Sequence, residues 1–276
     1  MTSISYNPGA AVALQMLGGT VQQKEEVQDD VATGKEVDTA SDAAAIWAVS
    51  QMMEADLSAY SSVSDSLSLG EATVAVASAG AEQITDILSE MKELAVTAAG
   101  SNADHGAIEK QMAAKVEQIG SIIGAAGFNG VNLLKTDVDG NGGSSLTVAS
   151  GVSGSGIDTL DVAGIDLEGS VSFDLAGRTA ITDSTSALTA LGEIEGFLDF
   201  AISGAASLGT AMNHLSAQDD MTGKLSDSIR SGISAMTDTS MEEAATRLKA
   251  LQVQEQLGAM SLNIANSAPG RLSSLF

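Results

Sequence analysis

From Gly9 to Ala268 the chain carries no proline, the one residue that removes a helical hydrogen bond and clashes with the preceding turn. Within that stretch an apolar pattern repeats every seven residues for eight heptads. One row reads Ile46, Met53, Tyr60, Leu67, Val74, Ala81, Leu88 and Ala95, and the other reads Val49, Asp56, Val63, Gly70, Ala77, Ile84, Met91 and Ala98. Only Asp56 and Gly70 interrupt it. A pattern held this long predicts a left-handed coiled-coil strip, which at the helical rise per residue spans roughly 80 Å. Its start lies after Ser41-Asp42, where a Ser or Asp cap fits.

Composition agrees with helix-on-helix packing. Hydrophobic residues make up 44% but aromatics only 3%, so the apolar content is mostly Ala, Leu, Val, Ile and Met. The 36 acidic side chains outnumber the 12 basic ones and leave a formal charge of −24, which argues against nucleic acid or an anionic membrane as partner. With no Cys, disulfides, thiolate metal sites and Cys nucleophiles are excluded, and two histidines make structural zinc a poor fit. The first twenty residues lack the basic start and apolar run of a secretory signal, and no run long enough to cross a bilayer occurs.

A turn over Gly100–Gly106 precedes a second helix marked by Ile108, Met112, Val116, Ile119 and Ile123, expected to fold back on the first. Helical spacing returns from Ser186, through Leu188, Leu191, Leu198, Ile202, Leu208 and Met212 to Leu225, Ile229, Ile233 and Met236. A last helix carries Met241, Ala244, Ala245, Leu248, Leu251, Leu262 and Ala265. The segment 1–34 is weaker: Leu14, Leu17, Val21 and Val31 lie near one face, but Lys24 and Gln28 interrupt it, so alone it is at best marginally helical. Between the helical ends, thirteen of the 29 glycines fall from Gly120 to Gly177. Short alternation at 146–148, 160–162, 165–167 and 171–175 predicts one or two small hairpins there. The fold class is mainly α, with long antiparallel coiled-coil helices from both chain ends and a small β-hairpin or loop middle. The expected divisions are a core helix at 1–40, rod halves at 41–135 and 181–236, an outward β/loop region at 136–180 and a second core helix at 237–276.

No constellation supports catalysis, and the chain is expected to be neither an enzyme nor a cofactor carrier. Asp137, Asp139, Asn141 and Gly142 match the first half of a calcium loop, but the acid due at its twelfth position is Val148, and turn chemistry accounts for the same letters. Gly151-Val-Ser-Gly154-Ser-Gly156 lacks the third glycine step and the following helix of a phosphate loop. His105 and His214 stand without a nucleophile partner, and Trp47 reads equally as binding anchor or packed residue.

The ends of the chain resemble bacterial flagellin. Val31-Ala-Thr-Gly34-Lys-Glu-Val37-Asp-Thr-Ala40-Ser-Asp42-Ala-Ala-Ala is similar to the family's Leu-Ser-Ser-Gly-Leu-Arg-Ile-Asn-Ser-Ala followed by Asp-Asp-Ala-Ala. Glu93-Leu-Ala-Val96, Phe128-Asn-Gly130 and the stretch from Leu251 through Ala265-Asn266-Ser-Ala-Pro269 resemble its later motifs, in the family's order. The resemblance implies a structural subunit that polymerises into the flagellar filament for motility. It further implies unfolded passage through the flagellar type III apparatus, location in the extracellular filament, terminal segments that order on assembly, and export-chaperone, hook-associated junction and cap proteins as partners beside the chain itself. The alternative is a hook–filament junction protein, toward which Gly34-Lys35 leans; a calcium-ordered binding rod is a third reading. The helix-seam and assembly residues are expected at Ile46, Val49, Met53, Tyr60, Val63, Leu67, Val74, Ile84, Leu88, Met91, Leu248, Leu251 and Leu262.

By the same resemblance, the face holding Glu90, Glu93 and Leu94 is the one an animal Toll-like receptor reads in flagellins. There the family's Arg is replaced by Glu90, and a reversed charge at an interface costs several kcal/mol when partner groups lose their pairing. Weak or absent receptor activation is therefore expected in a reporter-cell assay; a full flagellin-like response would refute it.

Overall fold

The computed structural model describes residues 7–153, 156–170 and 173–273. Among the described residues, five helices, α1 (Pro8–Thr33), α2 (Ala44–Ala98), α3 (His105–Ala125), α4 (Ser184–Thr237) and α5 (Met241–Ser273), are joined in chain order with one antiparallel pair, β1 (Ser145–Ser153) and β2 (Gly156–Ala163), between α3 and α4. The chain divides into two units, one of residues 1–55 with 228–276 and one of residues 56–227.

In the unit 56–227 the heptad rows of α2 form one wall of a continuous core. Val63, Leu67, Val74, Ile84, Leu88 and Met91 are buried there, together with Ala77, Ala81, Ala95 and Ala98. Opposing them are Ile108, Met112, Ile119 and Ile123 of α3 and Ala187, Ala190, Ile194, Ala201, Leu208 and Leu215 of α4. Alanine at so many contact positions lets helix backbones approach closely, while the Leu, Ile and Met between them fill the seam. Truncating a fully buried seam residue such as Leu88 to Ala costs about 2–5 kcal/mol by removing apolar contact and leaving a cavity. Asn132, itself buried, donates from Nδ2 to the Ile123 carbonyl at 2.6 Å and accepts the Leu134 N–H at 3.0 Å, closing the end of α3. The Phe128-Asn129-Gly130-Val131 turn is a two-residue reversal with φ of 50° at Asn129 and 86° at Gly130, the left-handed pair such turns demand.

Glycine explains how the middle region seats on the helices. Gly70, an interruption of the heptad row, is the socket for Val148 of β1: a Cβ there would lie 2.8 Å from Val148 Cγ2. Gly204 of α4 receives Ile165 in the same way, at 2.7 Å from its Cδ1. Polar contacts complete the seat. The bulge at Ser150 presents its carbonyl to Gln218 Nε2 at 2.7 Å, Tyr60 Oη donates to the Val152 carbonyl at 3.3 Å, and Ser66 Oγ accepts the Ala149 N–H at 3.2 Å. Among the described residues one hairpin forms, and it takes in 146–148 and 160–162. Residues 165–167 read as a strand from alternation, yet Ile165 N–H and Leu167 N–H donate instead to the Leu133 and Leu134 carbonyls, as a strap that buries both side chains. Of the alternation at 171–175, Val171 and Ser172 lie outside the described residues, and Phe173 packs edge-on to Phe197.

The return of the chain to α4 is held by two carboxylates, Glu193, which accepts the Thr179 N–H and hydroxyl at 2.7 Å each, and Glu109. Glu109 accepts Arg178 Nη2 at 2.7 Å, Arg178 Nη1 at 3.2 Å and the Ile181 N–H at 2.8 Å. Partial burial pushes its pKa up, but the Arg178 and Ile181 hydrogen bonds and the Arg178 charge outweigh this and hold it below the ordinary 4.5.

In the unit formed by 1–55 and 228–276, α1 opens on an Asn7 side chain that accepts the Ala10 N–H at 3.2 Å, with Pro8 at the first helical position, and ends on Gly34 at φ 76°. The two inter-helix links are tied to each other. Glu36 N–H and Val37 N–H both donate to the Thr237 carbonyl, at 2.7 and 3.2 Å, and Thr239 N–H donates to the Gly34 carbonyl at 3.0 Å.

Two outcomes follow from these contacts. Gly204→Ala forces Ile165 to shift, and overpacking of about 1–3 kcal/mol exceeds the gain of up to about 1 kcal/mol from removing a helical glycine. Gly209→Ala, with open space around it, keeps that gain, so the two variants move oppositely in denaturant unfolding. Glu109→Gln lowers stability at pH 7 by about 1–3 kcal/mol. Because the folded carboxylate titrates below its ordinary value, its contribution is present above about pH 4.5 and vanishes as pH falls through the folded pKa. The difference between wild type and variant therefore narrows as the pH falls through that lowered pKa, as thermal melts across pH will read.

Candidate functional site

Two rows of heptad spacing face one another across α1 and α5. On α1, Ala13, Leu17, Thr20, Lys24, Val27 and Val31 are buried or half-buried, in steps of four and three; on α5, Ala244, Leu248, Leu251, Glu255, Gly258, Leu262 and Ala265 do the same. Their contacts run antiparallel. Asn7 Nδ2 donates to the Ala265 carbonyl at 2.8 Å, Leu17 sits over Gly258, Lys24 Nζ meets Glu255 Oε2 at 2.9 Å, and Val27 packs with Ala244 and Leu251. Lys24, which breaks the row when α1 is read alone, is thus a seam residue with its counter-charge on α5. Leu14 instead points outward and is exposed. The seam is thin: an ion pair and a glycine occupy positions that Leu or Ile fill in a strong coiled coil.

The reverse face of α5 carries a second apolar row. Val253, Leu257, Met260 and Ile264 follow steps of four, three and four, half a turn from the seam, and are all exposed, Ile264 at 72%. On α1, Val12, Leu14 and Met16 are likewise exposed, and Met16, Leu17, Leu257 and Gly258 line a groove along the pair. Sequence reading missed the α5 row because it followed only one phase of the helix; the second phase was legible in the same letters. Apolar rows this long, left uncovered, mark sites of protein association.

The remaining seam positions fall into two groups. Val63, Leu67, Val74, Ile84, Leu88 and Met91 are brought together inside the chain's own core, and Tyr60 lies half-buried against the hairpin. Ile46 and Val49 are exposed at 39% and 42%, while Met53 is half-buried over Gly232. Leu248, Leu251 and Leu262 lie in the α1–α5 seam. On the receptor-like face, Glu90 is ion-paired with Lys115 of α3, Glu93 is exposed, and Leu94 packs on the core.

The candidate chemistry resolves into structural contacts. Asp137 Oδ1 accepts the Gly142 N–H at 2.9 Å, and Asp139 Oδ1 accepts Asn141 N–H at 2.9 Å and Gly143 N–H at 3.0 Å. Those backbone bonds hold the Asp139 pKa below its ordinary value. Among the described residues no three acidic or histidine side chains are grouped to hold a metal. His105 Nε2 lies 2.9 Å from the Ala98 carbonyl and closes the end of α2; His214 is exposed and Trp47 half-buried. Gly154 and Ser155 of the glycine-rich loop lie outside the described residues. Among those described, no helix is long and apolar enough to cross a membrane. Near the start of α5, Asp30, Glu36, Glu243 and Arg247 line a small polar pocket. Burial, then Glu26, Glu36 and Asp42, raise the Asp30 pKa against the pull of Arg247.

Comparison with known proteins places these features in a family. Residues 4–138 match the bacterial flagellin N-terminal helical region and residues 191–276 match the bacterial flagellin C-terminal helical region. Flagellin FljK of Caulobacter vibrioides is 34% identical, over 100% of this chain and 99% of its own. A flagellin of Brucella melitensis is also 34% identical, with the same coverage of both chains. The crystal structure of Bacillus cereus flagellin aligns with a TM-score of 0.48 and 24% identity, over 58% of this chain and 88% of that one. Matched by both family regions and along its whole length by flagellin relatives, a chain built of terminal helices with heptad seams belongs to the bacterial flagellin family, whose members are structural subunits of the flagellar filament and not enzymes.

Proposed function

We propose that copies of this flagellin associate through the outward apolar rows of α1 and α5, the segments 1–40 and 237–276 forming the filament core. In this reading 41–135 and 181–236 act as the rod and 136–180 faces outward. The observation that carries it is the exposed row Val253, Leu257, Met260 and Ile264, apolar at every helical step while the opposite face of α5 is taken by α1. Exposed Ile46 and Val49 on α2 extend the contact surface. An open helical polymer requires contacts that do not close on themselves, and long helical strips meet that need.

The chain is exported unfolded through the flagellar type III apparatus to the extracellular filament, with an export chaperone before assembly and junction and cap proteins at the filament ends. The thin α1–α5 seam supports this, because a pair with little buried apolar area opens at low cost. The engagement of Glu90 by Lys115 supports weak Toll-like receptor recognition, since the carboxylate already has its cation.

The test is polymerisation of purified full-length monomer by a salting-out anion, followed by sedimentation and negative-stain electron microscopy. Leu257→Asp places a charge in the outward row at a residue that is 54% exposed and borders the groove beside α1, so circular dichroism checks that the α1–α5 pairing is kept. The substitution is expected to raise the critical concentration at least about tenfold, one unsatisfied buried charge being worth more than 1.4 kcal/mol, with an unchanged circular dichroism spectrum. Filaments of Leu257→Asp formed at the wild-type critical concentration would remove this row from the interface.

A further inference from the structure

We infer that Met16 and Met260 make assembly of this flagellin sensitive to oxidants: they are modification sites whose conversion to the sulfoxide blocks polymerisation. The inference rests on the outward-row interface proposed above. Of the methionines, Met91 and Met112 are fully buried in the core, whereas Met16 is 71% exposed on α1 and Met260 is 56% exposed on α5. Met260 stands between Leu257 and Ile264 in the outward row, and Met16 lines the groove with Leu17 and Leu257. A flexible thioether suits a surface that must adapt to a second copy. It is also the one side chain of that row that a mild oxidant alters.

The chemistry balances simply. The thioether sulfur attacks one oxygen of hydrogen peroxide; the O–O bond breaks, an S–O bond forms, sulfur loses two electrons and the peroxide leaves as water. The product is polar and chiral, and it replaces an apolar contact with a strong hydrogen-bond acceptor. Within an apolar interface that acceptor has no donor from Val253, Leu257 or Ile264, so its desolvation opposes association. Exposed thioethers react in the monomer, Met16 and Met260 together with Met52, Met221 and Met241, while the buried pair is shielded; of those exposed, Met16 and Met260 are the ones that stand on the outward apolar rows. Because the sulfoxide is reducible by methionine sulfoxide reductases, the block is reversible.

The experiment treats full-length monomer with hydrogen peroxide, maps sulfoxide by peptide mass spectrometry, confirms an unchanged melting temperature, and measures the critical concentration under a salting-out anion. Wild type oxidised at Met16 and Met260 is expected to require about tenfold more protein to polymerise, and reductase treatment restores it. The double variant Met16→Leu with Met260→Leu, equally treated, is expected to polymerise as untreated wild type. Two results would overturn the inference: unchanged polymerisation of wild type with both sulfoxides present, or loss of polymerisation in the oxidised double variant, which assigns the effect to Met52, Met221 or Met241. The underlying interface is tested apart from oxidation by untreated Leu257→Asp. If that variant polymerises normally, the interface itself fails; if it does not and oxidised wild type still polymerises, only the oxidant site fails.

Discussion

A helix with a long apolar stripe must find a cover for it, and in this chain that demand on α2 organises the rest. Between Val63 and Ala98 the cover comes from within, where α3 and α4 supply Ile, Leu and Ala against the stripe. Burial of this kind contributes about 25 cal/mol for each Å² removed from water, which dwarfs the tenths of a kcal/mol available from exposed ion pairs such as Lys92–Glu195. Near its start, Ile46 and Val49 have the same character but no such cover. The proposed assembly builds on that difference: what a single chain leaves exposed is what further copies are proposed to bury.

The middle region obeys the same constraint at shorter range. A two-stranded hairpin is marginal in water on its own, and this one is stable because each strand feature is keyed to a helix. Val148 enters the notch at Gly70, the bulge carbonyl of Ser150 is taken by Gln218, and Ile165 enters the notch at Gly204. Val148 therefore occupies, for packing, the position where a calcium loop would need its bidentate acid.

Legibility in the sequence tracked the range of the interaction. The long helices, the hairpin at 146–162 and the seam of α2 could be read because their signals are periodic and local. Gly70 appeared as a defect because its partner lies far along the chain, and Lys24 appeared as a break in α1 because Glu255, the residue that completes the pair, is 231 positions away. The strap at 165–167 alternates like a strand, but its backbone donors found the Leu133 and Leu134 carbonyls before any strand could pair with it. The outward row of α5 differs from these, since it is periodic and local; it was missed because a helix can carry two apolar phases, and only the one that pairs inside the chain fits the usual picture of an amphipathic helix.

Charge decides which force can drive association. Each copy carries −24, and in physiological salt that repulsion is screened beyond about 8 Å but not at contact. Ion pairs between copies could offset it only if cations were free to make them. Seven basic side chains, Lys24, Lys35, Lys92, Lys115, Lys135, Arg178 and Arg247, are instead paired with acids of the same chain, out of 12 in the whole sequence. The acidic excess is thus left without enough cations to answer it across an interface. The attraction between copies has to come from apolar burial, and conditions that screen charge while strengthening that burial are the ones expected to favour assembly.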